Sequence, residues 1–211
     1  MAHDNYFSDP MQTWDARFGG PDFLFGTAPN AYLASHRALL AAGKSVLAVA
    51  DGEGRNSVWL AQQGLMVDAF DISPVGVAKA DELARRAGVS VNLHVNDCDS
   101  WDWQPEAYDV VVAIFIQFAG PEMRRRLFAR MVATLKPGGY LIVQGYTPKQ
   151  LDYKTGGPRL LDHLYTGDMM REAFAALEII ELCEYDGVLD EGTQHVGPSA
   201  LLGMVARKPA A

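Results

Sequence analysis

The 211 residues predict an α/β protein built on a doubly wound, mostly parallel sheet. From Gly43 onward short apolar runs alternate with segments of helical period, and repeated strand-helix units of that kind place a parallel sheet between two layers of helices. The runs are continuous, as in Val46-Leu47-Ala48-Val49-Ala50 and Val110-Val111-Val112-Ala113-Ile114. Strands covered on both faces read this way, whereas half-exposed strands alternate. The last two strands are joined by a loop too short for a helical crossover and must pair antiparallel.

Met1 to Pro10 carries no apolar period. Met11 to Phe18 and Asn30 to Ala42 space apolar residues at three and four and are predicted helices. The aromatic loop Phe23 to Asn30, broken by Gly26 and Pro29, lies between them. Residues 1–43 are therefore an expected N-terminal helical cap on an α/β core of residues 44–211, the two forming a single domain. Strands are expected at Ser45 to Ala50, Met66 to Ile72, Val89 to Val95, Tyr108 to Phe115 and Tyr140 to Tyr146, with helices at Arg55 to Gln63, Pro74 to Ala87 and Pro121 to Leu135. The second of these helices has Ser73 at the N-cap, Pro74 in the first turn and Gly88 as its stop, each suited to its place. A helix at Gly167 to Leu177, a strand at Ile179 to Tyr185, a Gly/Asp-rich turn from Asp186 to Gly192 and a strand at Ala200 to Arg207 complete the reading.

Hydrophobic residues make up 49% and charged residues 21% of the chain, a globular balance. Cys98 and Cys183 are too few and too far apart for a disulfide framework or a zinc knuckle, so a cytoplasmic protein with reduced thiols and no metal is expected. No leader or membrane-length apolar run is visible. The formal charge of −8 argues against nucleic acid, and the one basic cluster, Arg124-Arg125-Arg126 with Arg130, reads as a solvated helix flank. A small-molecule partner is favoured, with the protein a monomer or homodimer.

The first strand runs into Asp51-Gly52-Glu53-Gly54-Arg55-Asn56 and then a helix. Glycine there lets backbone approach a ligand closely, and in an open parallel sheet ligands lie beyond the carboxyl ends of the strands. Asp71 ends the second strand 17 residues beyond Gly54, where a carboxylate accepts hydrogen bonds from both hydroxyls of an adenosine ribose. After the third strand, Asn96-Asp97-Cys98-Asp99 forms an acidic loop in which Asp97 can meet an adenine amino group while Ile72 covers the ring. A nicotinamide site asks for G-x-G-x-x-G facing a diphosphate. Here Ser57 stands third, and Asp51 and Glu53 would repel phosphate, so a cationic, phosphate-free nucleoside suits the loop better.

These residues resemble the class I S-adenosylmethionine-dependent methyltransferases, and among them the small bacterial tellurite-resistance-related methyltransferases. Matching features run from Trp14 to Arg207: Trp14-x-x-Arg17, Phe25-Gly26-Thr27-x-Pro29-Asn30, Gly52-Glu53-Gly54-Arg55-Asn56, Asp71, and Leu135-Lys136-Pro137-Gly138-Gly139 as the turn before the fifth strand. The resemblance implies a Rossmann-like methyltransferase fold with seven strands, the last inserted antiparallel. It also implies S-adenosyl-L-methionine as cofactor and methyl transfer as the reaction. Trp14, Arg17, Gly26, Ala50, Asp51, Gly52, Gly54, Asn56, Asp71, Ile72, Asp97, Cys98 and Phe115 are then the expected cofactor contacts. One departure is visible. The acidic residue usual ahead of the first loop glycine is missing, with Ala48 and Ala50 in its place, so Asp51 or Glu53 must hold the cofactor's ammonium, or cofactor binding is weaker.

Methyl transfer is an in-line displacement in which alignment supplies up to about 7–11 kcal/mol. A thiol or other chalcogen acceptor needs no base, whereas an alcohol or amine does. Acceptor-side candidates are Phe115, Gln117, Phe118 and His163 for binding, and Tyr146 and His195 for catalysis, His195 lying in the last loop. Thr147 to Pro158 is long enough for a lid, and Phe7, Trp14, Phe23 and Phe25 can close the pocket from the N-terminal side. Two other readings stay open: a non-catalytic sensor of S-adenosylmethionine or a nucleoside, and a nicotinamide oxidoreductase.

Overall fold

The computed structural model describes residues 9–210; Phe7, one of the expected pocket aromatics, lies outside them. The strands are β1 (Ser45–Val49), β2 (Met66–Asp71), β3 (Asn92–Val95), β4 (Tyr108–Ile114), β5 (Leu135–Tyr146), β6 (Glu178–Glu191) and β7 (His195–Arg207). They form one seven-stranded sheet in the order β3-β2-β1-β4-β5-β7-β6. Neighbours among the first five strands pair in parallel. β7 is inserted between β5 and β6 and runs antiparallel to both, as expected for the last strand.

Helices α1 (Pro10–Phe18), α2 (Ala31–Ser35), α3 (Arg55–Gln62), α4 (Pro74–Ala87), α5 (Pro121–Thr134), α6 (Gln150–Tyr153) and α7 (Gly167–Ala173) accompany the strands. Two cores explain the unbroken apolar runs. Leu47, Val111 and Leu141 join Leu127 and Met131 of α5 and Met170 of α7 in one core. Their chain neighbours Val46, Val110 and Ile142 join Leu33 of α2 and Leu60 of α3 in the other. Successive residues of a strand point to opposite faces, and each such side chain removed from water contributes about 1.5–3 kcal/mol.

α4 has the expected bounds: Ser73 Oγ accepts from Gly76 N, and Gly88 closes the helix at φ 68. Elsewhere the structure corrects the sequence reading. The helix expected over Asn30 to Ala42 is only α2 and a 3₁₀ turn at Arg37–Leu39. The carbonyl of Tyr32 is taken by the Ser35 hydroxyl at 2.7 Å and the His36 ring at 2.9 Å, so side chains displace the next turn's backbone bond. β5 begins at Leu135, and Leu135-Lys136-Pro137-Gly138-Gly139 forms an irregularity within it, between the pairs Tyr108↔Leu135 and Val110↔Tyr140. The turn expected over Asp186 to Gly192 is mostly strand, because pairing continues from Glu178↔Arg207 to Glu191↔His195. Only residues 192–194 make the reversal, so His195 opens β7 and does not lie in a loop.

Candidate functional site

β1 pairs with β2 on one side and β4 on the other. The chain leaves β1 in opposite directions there, and the crevice beyond these carboxyl ends is the topological switch point. A cavity of about 1180 Å³ opens at that place.

The acidic wall comes from the ends of β1, β2 and β3. Three left-handed residues fold the loop after β1: Ala50 at φ 48, Gly52 at φ 61 and Gly54 at φ 88. A left-handed conformation costs an alanine about 1–2 kcal/mol, and glycine's larger unfolded-state entropy recovers about 0.5–1 kcal/mol of that. Ala50→Gly is therefore expected to stabilise the protein by about 0.5 kcal/mol, a rise of about 1–2 °C in the thermal unfolding midpoint. A fall in that midpoint would mean that the methyl group packs for more than the strain costs.

Asp71 accepts Gly52 N through Oδ2 and Ser73 N through Oδ1, each at 2.9 Å. It ties the loop to β2, and a carboxylate with one bond per oxygen keeps a lone pair on each for a diol. Burial raises its pKa to about 6 against the pull of those two N–H groups, with Asp15 adding to the rise. Asp51 is half-buried, and its Oδ2 is shielded from water with no hydrogen-bond partner among the described residues. Burial raises its pKa to about 7, opposed by hydrogen bonds with Ser57 and assisted by Asp71. Glu53 is spent elsewhere, since it pairs with Lys79 at 2.8 Å and accepts Leu24 N at 2.7 Å. Of the two carboxylates that can replace the missing acidic residue, only Asp51 lines the cavity.

Asp97 uses Oδ1 to accept Asp99 N at 2.7 Å and Ser100 N at 2.8 Å. Its pKa is lowered, because these bonds outweigh partial burial. Ile72 and Cys98 line the same wall, and burial pushes the Cys98 thiol far up, so it stays protonated.

The opposite wall is aromatic and basic. His195 stands among Phe115, Phe25 and Tyr146 at ring separations of 4.4, 4.5 and 5.8 Å. Its Nδ1 faces Glu191 Oε2 at 3.5 Å, and Arg55 Nη2 lies 2.8 Å from the same oxygen. Burial alone would raise Glu191, but His195 and Arg55 reverse this and hold its pKa at about 2. His195 is lowered by burial and by the charges of Arg55 and Arg17, against Glu191, so its ring is neutral at neutral pH. Tyr146 is 1% exposed, and its hydroxyl has no hydrogen-bond partner among the described residues.

Trp14, Arg17, Asn56, Phe118 and Gln117 also line the cavity. Asn56 accepts Asn30 N at 2.9 Å, which binds the N-terminal segment to the loop. Both N–H donors of the Gln117 amide are committed, to the carbonyls of Tyr146 (2.9 Å) and His163 (3.0 Å), and its Oε1 accepts Tyr146 N (2.6 Å). It clamps β5 to the segment around residue 163. His163 is not in the cavity wall; it is buried with Nδ1 against Gln117 O at 2.9 Å. Gly26 and Gly54 are also set back from the cavity. Gly26 meets the hairpin tip at Gly192, and Gly54 meets α4 at Ala80.

Sequence reasoning missed Phe18, whose ring lies under Gly52 and stacks on Trp14 at 5.2 Å. It also missed Arg55 and Glu191 as site residues. Arg55 stands inside the recognised loop motif and could have been found there. Glu191 sat in what read as a turn and carried no such signal.

Among the described residues, no group of three or more potential ligands could hold a metal ion, and no helix is long and apolar enough to cross a membrane. Residues 46–139 match the family model described as a methyltransferase domain. A curated relative, Hemagglutinin 1 of Eikenella corrodens, is 31% identical over 167 residues, which cover 75% of this chain and 52% of that protein. The chain thus spans about half the length of the curated relative it matches. The solved structure of N-methyltransferase NodS from Bradyrhizobium japonicum WM9, in complex with S-adenosyl-L-homocysteine, is similar at TM-score 0.70 and 16% identity, over 94% of this chain and 98% of that one. TehB from Haemophilus influenzae is similar at TM-score 0.67 and 21% identity, over 84% and 61%. Residues 46–139 thus match a methyltransferase domain, and they lie in a sheet whose fold is similar to that of TehB.

Proposed function

We propose that the whole chain acts as one enzyme that binds S-adenosylmethionine in the 1180 Å³ cavity and transfers its methyl group to a small-molecule acceptor, with thiols and other chalcogens among the candidates. The observation that carries this reading is the pair of carboxylates at the switch point, Asp71 buried and Asp51 with a shielded oxygen. Asp51 has an unpartnered oxygen suited to a cationic amino group, and Asp71 has spare lone pairs suited to a ribose diol. Two carboxylates facing one cavity suit a cation and reject a diphosphate.

The cofactor, when bound, supplies an electrophilic methyl on a sulfonium. The protein's part is to align and dehydrate. Asp71 fixes the nucleoside end, Asp51 the amino-acid end, and the aromatic wall around His195 keeps water from the reacting centre. His195, neutral and facing Glu191, can accept a proton from an acceptor that carries one; a thiolate needs no such help. The cavity exceeds the usual size for a single small ligand, about 300–1,000 Å³, and room for an acceptor beside the donor favours an enzyme over a sensor. A cytoplasmic location fits the two unpaired cysteines.

Calorimetric titration with S-adenosylmethionine, S-adenosylhomocysteine and NAD is expected to show binding of the first two only. Asp71→Ala is expected to weaken that binding by about 1.5–3 kcal/mol, the range for a hydrogen bond to a charged group. Binding of NAD alone would overturn the reading, and unchanged affinity in the variant would remove Asp71 from the site.

A further inference from the structure

We infer that the acceptor is an organic acid whose carboxylate seats on Arg55 Nη1 and the Tyr146 hydroxyl, an assignment that rests on the methyltransferase reading and deepens it. The cavity is polarised. Its carboxylates Asp51, Asp71 and Asp97 stand at the ends of β1, β2 and β3, where the cationic donor is placed. On the other side, beside the likewise unbonded Nδ1 of His195, stand two buried donors with nothing to donate to among the described residues.

Arg55 is 92% buried at its side chain, its Nη2 is paired with Glu191, and its Nη1 has no hydrogen-bond partner among the described residues. Tyr146 is 1% exposed with an equally unpartnered hydroxyl. Both line the same cavity, and the charges of Glu191 and Arg55 both reach the Tyr146 hydroxyl. A buried donor left unmade costs about 1–3 kcal/mol, so two in one cavity wall mark the place of a ligand acceptor. One is a guanidinium, whose preferred partner is an oxyanion.

The segment over this corner adds charge of the same sign. Lys154 and Arg159 line the rim, are exposed, and make no side-chain ion pair or hydrogen bond among the described residues. Cations arranged around a cleft attract and orient an anion before it docks. The intervening backbone passes directly over the hydroxyl: a Cβ placed on Gly156 would stand 3.1 Å from Tyr146 Oη. Phe115, Phe118 and Leu151 add an apolar surface to the wall. It suits a carbon skeleton better than a bare inorganic anion, which leaves those surfaces uncovered.

The test uses the full chain saturated with S-adenosylhomocysteine, whose own binding is measured first. Benzoate, phenylacetate and hexanoate are titrated calorimetrically beside the amide of each, and beside sulfate and selenite. Each carboxylate is expected to bind at least about tenfold more tightly than its amide, the usual advantage of a charge-assisted hydrogen bond. Tyr146→Phe deletes only an unpartnered hydroxyl, so the variant is expected to fold. It should lose about five- to tenfold in carboxylate affinity while S-adenosylhomocysteine binds as before. The double variant K154M/R159M changes exposed residues and should lose about threefold or more, with a weaker dependence on salt. Equal binding of acid and amide, or no binding of either, overturns the assignment. So do inorganic anions binding as well as the organic acids, or variants without effect. If S-adenosylhomocysteine itself does not bind, it is the methyltransferase reading that falls.

Discussion

Replacing Gly54 with alanine is expected to destabilise the protein by about 3 kcal/mol, a drop of about 6–12 °C in the unfolding midpoint, and to abolish donor binding in the fraction that folds. Gly54 is the N-cap of α3 at φ 88, so any side chain there bears the left-handed cost of about 1–2 kcal/mol. Space adds to it. A Cβ on Gly54 would stand 2.6 Å from Ala80 Cβ and 2.7 Å from Ala80 Cα in the middle of α4. Ala80 is 1% exposed and cannot move aside, so the backbones of α3 and α4 must separate at a further cost of about 1–3 kcal/mol. Because Asp51, Gly52 and Arg55 hang on the same turn, that separation moves both walls of the cavity. Gly88→Ala is the control. Gly88 has φ 68 but no neighbour within 4 Å of an added Cβ, so only the conformational cost of about 1–2 kcal/mol applies. Equal losses in the two variants, by calorimetry, would show that helix approach is not what Gly54 provides.

This glycine also shows what the sequence displays and what it hides. Gly54 stands out in the chain because a turn between strand and helix needs it, and the same local chemistry marked α4 from Ser73 to Gly88. The strands were legible because β1 and β4 are covered on both faces, so composition alone betrays them. The hairpin of β6 and β7 was not. Asp186, Gly187, Asp190 and Gly192 read locally as turn residues, and only the register from Glu178↔Arg207 to Glu191↔His195 makes most of that stretch a strand. Pairing over that length overrides local preference. The same non-local fact set His195 beside Glu191 and Arg55. In sequence Arg55 and Glu191 are 136 positions apart, and their 2.8 Å ion pair is a product of the fold. Gln117 and His163 show the reverse case. Polar residues near strand ends read as substrate contacts, yet their hydrogen bonds go to buried backbone carbonyls that need partners.

Donor affinity is expected to fall about 20-fold as the pH is lowered from about 7.5 to about 5.5, and Asp51→Asn is expected to flatten most of that fall. Asp51 titrates at about 7 and Asp71 at about 6 in the free protein, both raised first of all by burial. The folded state therefore holds protons that the unfolded chain, at an ordinary aspartate pKa of about 3.9, has already lost. The stability that these two groups contribute to the free protein therefore falls as pH rises from about 4 to about 7. A cation placed against Asp51 reverses the preference: it binds the ionised form, so affinity grows as pH rises through about 7 and levels off above it. Calorimetry in buffers of different ionisation enthalpy should then detect proton release on binding near pH 6.5 and about a third as much at pH 7.5. Asp51→Asn keeps the shape, removes the titration and lowers affinity at pH 7.5 by about 1.5–3 kcal/mol. S-adenosylhomocysteine separates the two charges of the donor, for it has the ammonium and lacks the sulfonium. An equally steep pH profile for both ligands assigns Asp51 to the ammonium, in the role left vacant by Ala48 and Ala50, and a flat profile for the product alone assigns it to the sulfonium. A flat profile for both would remove Asp51 from the site.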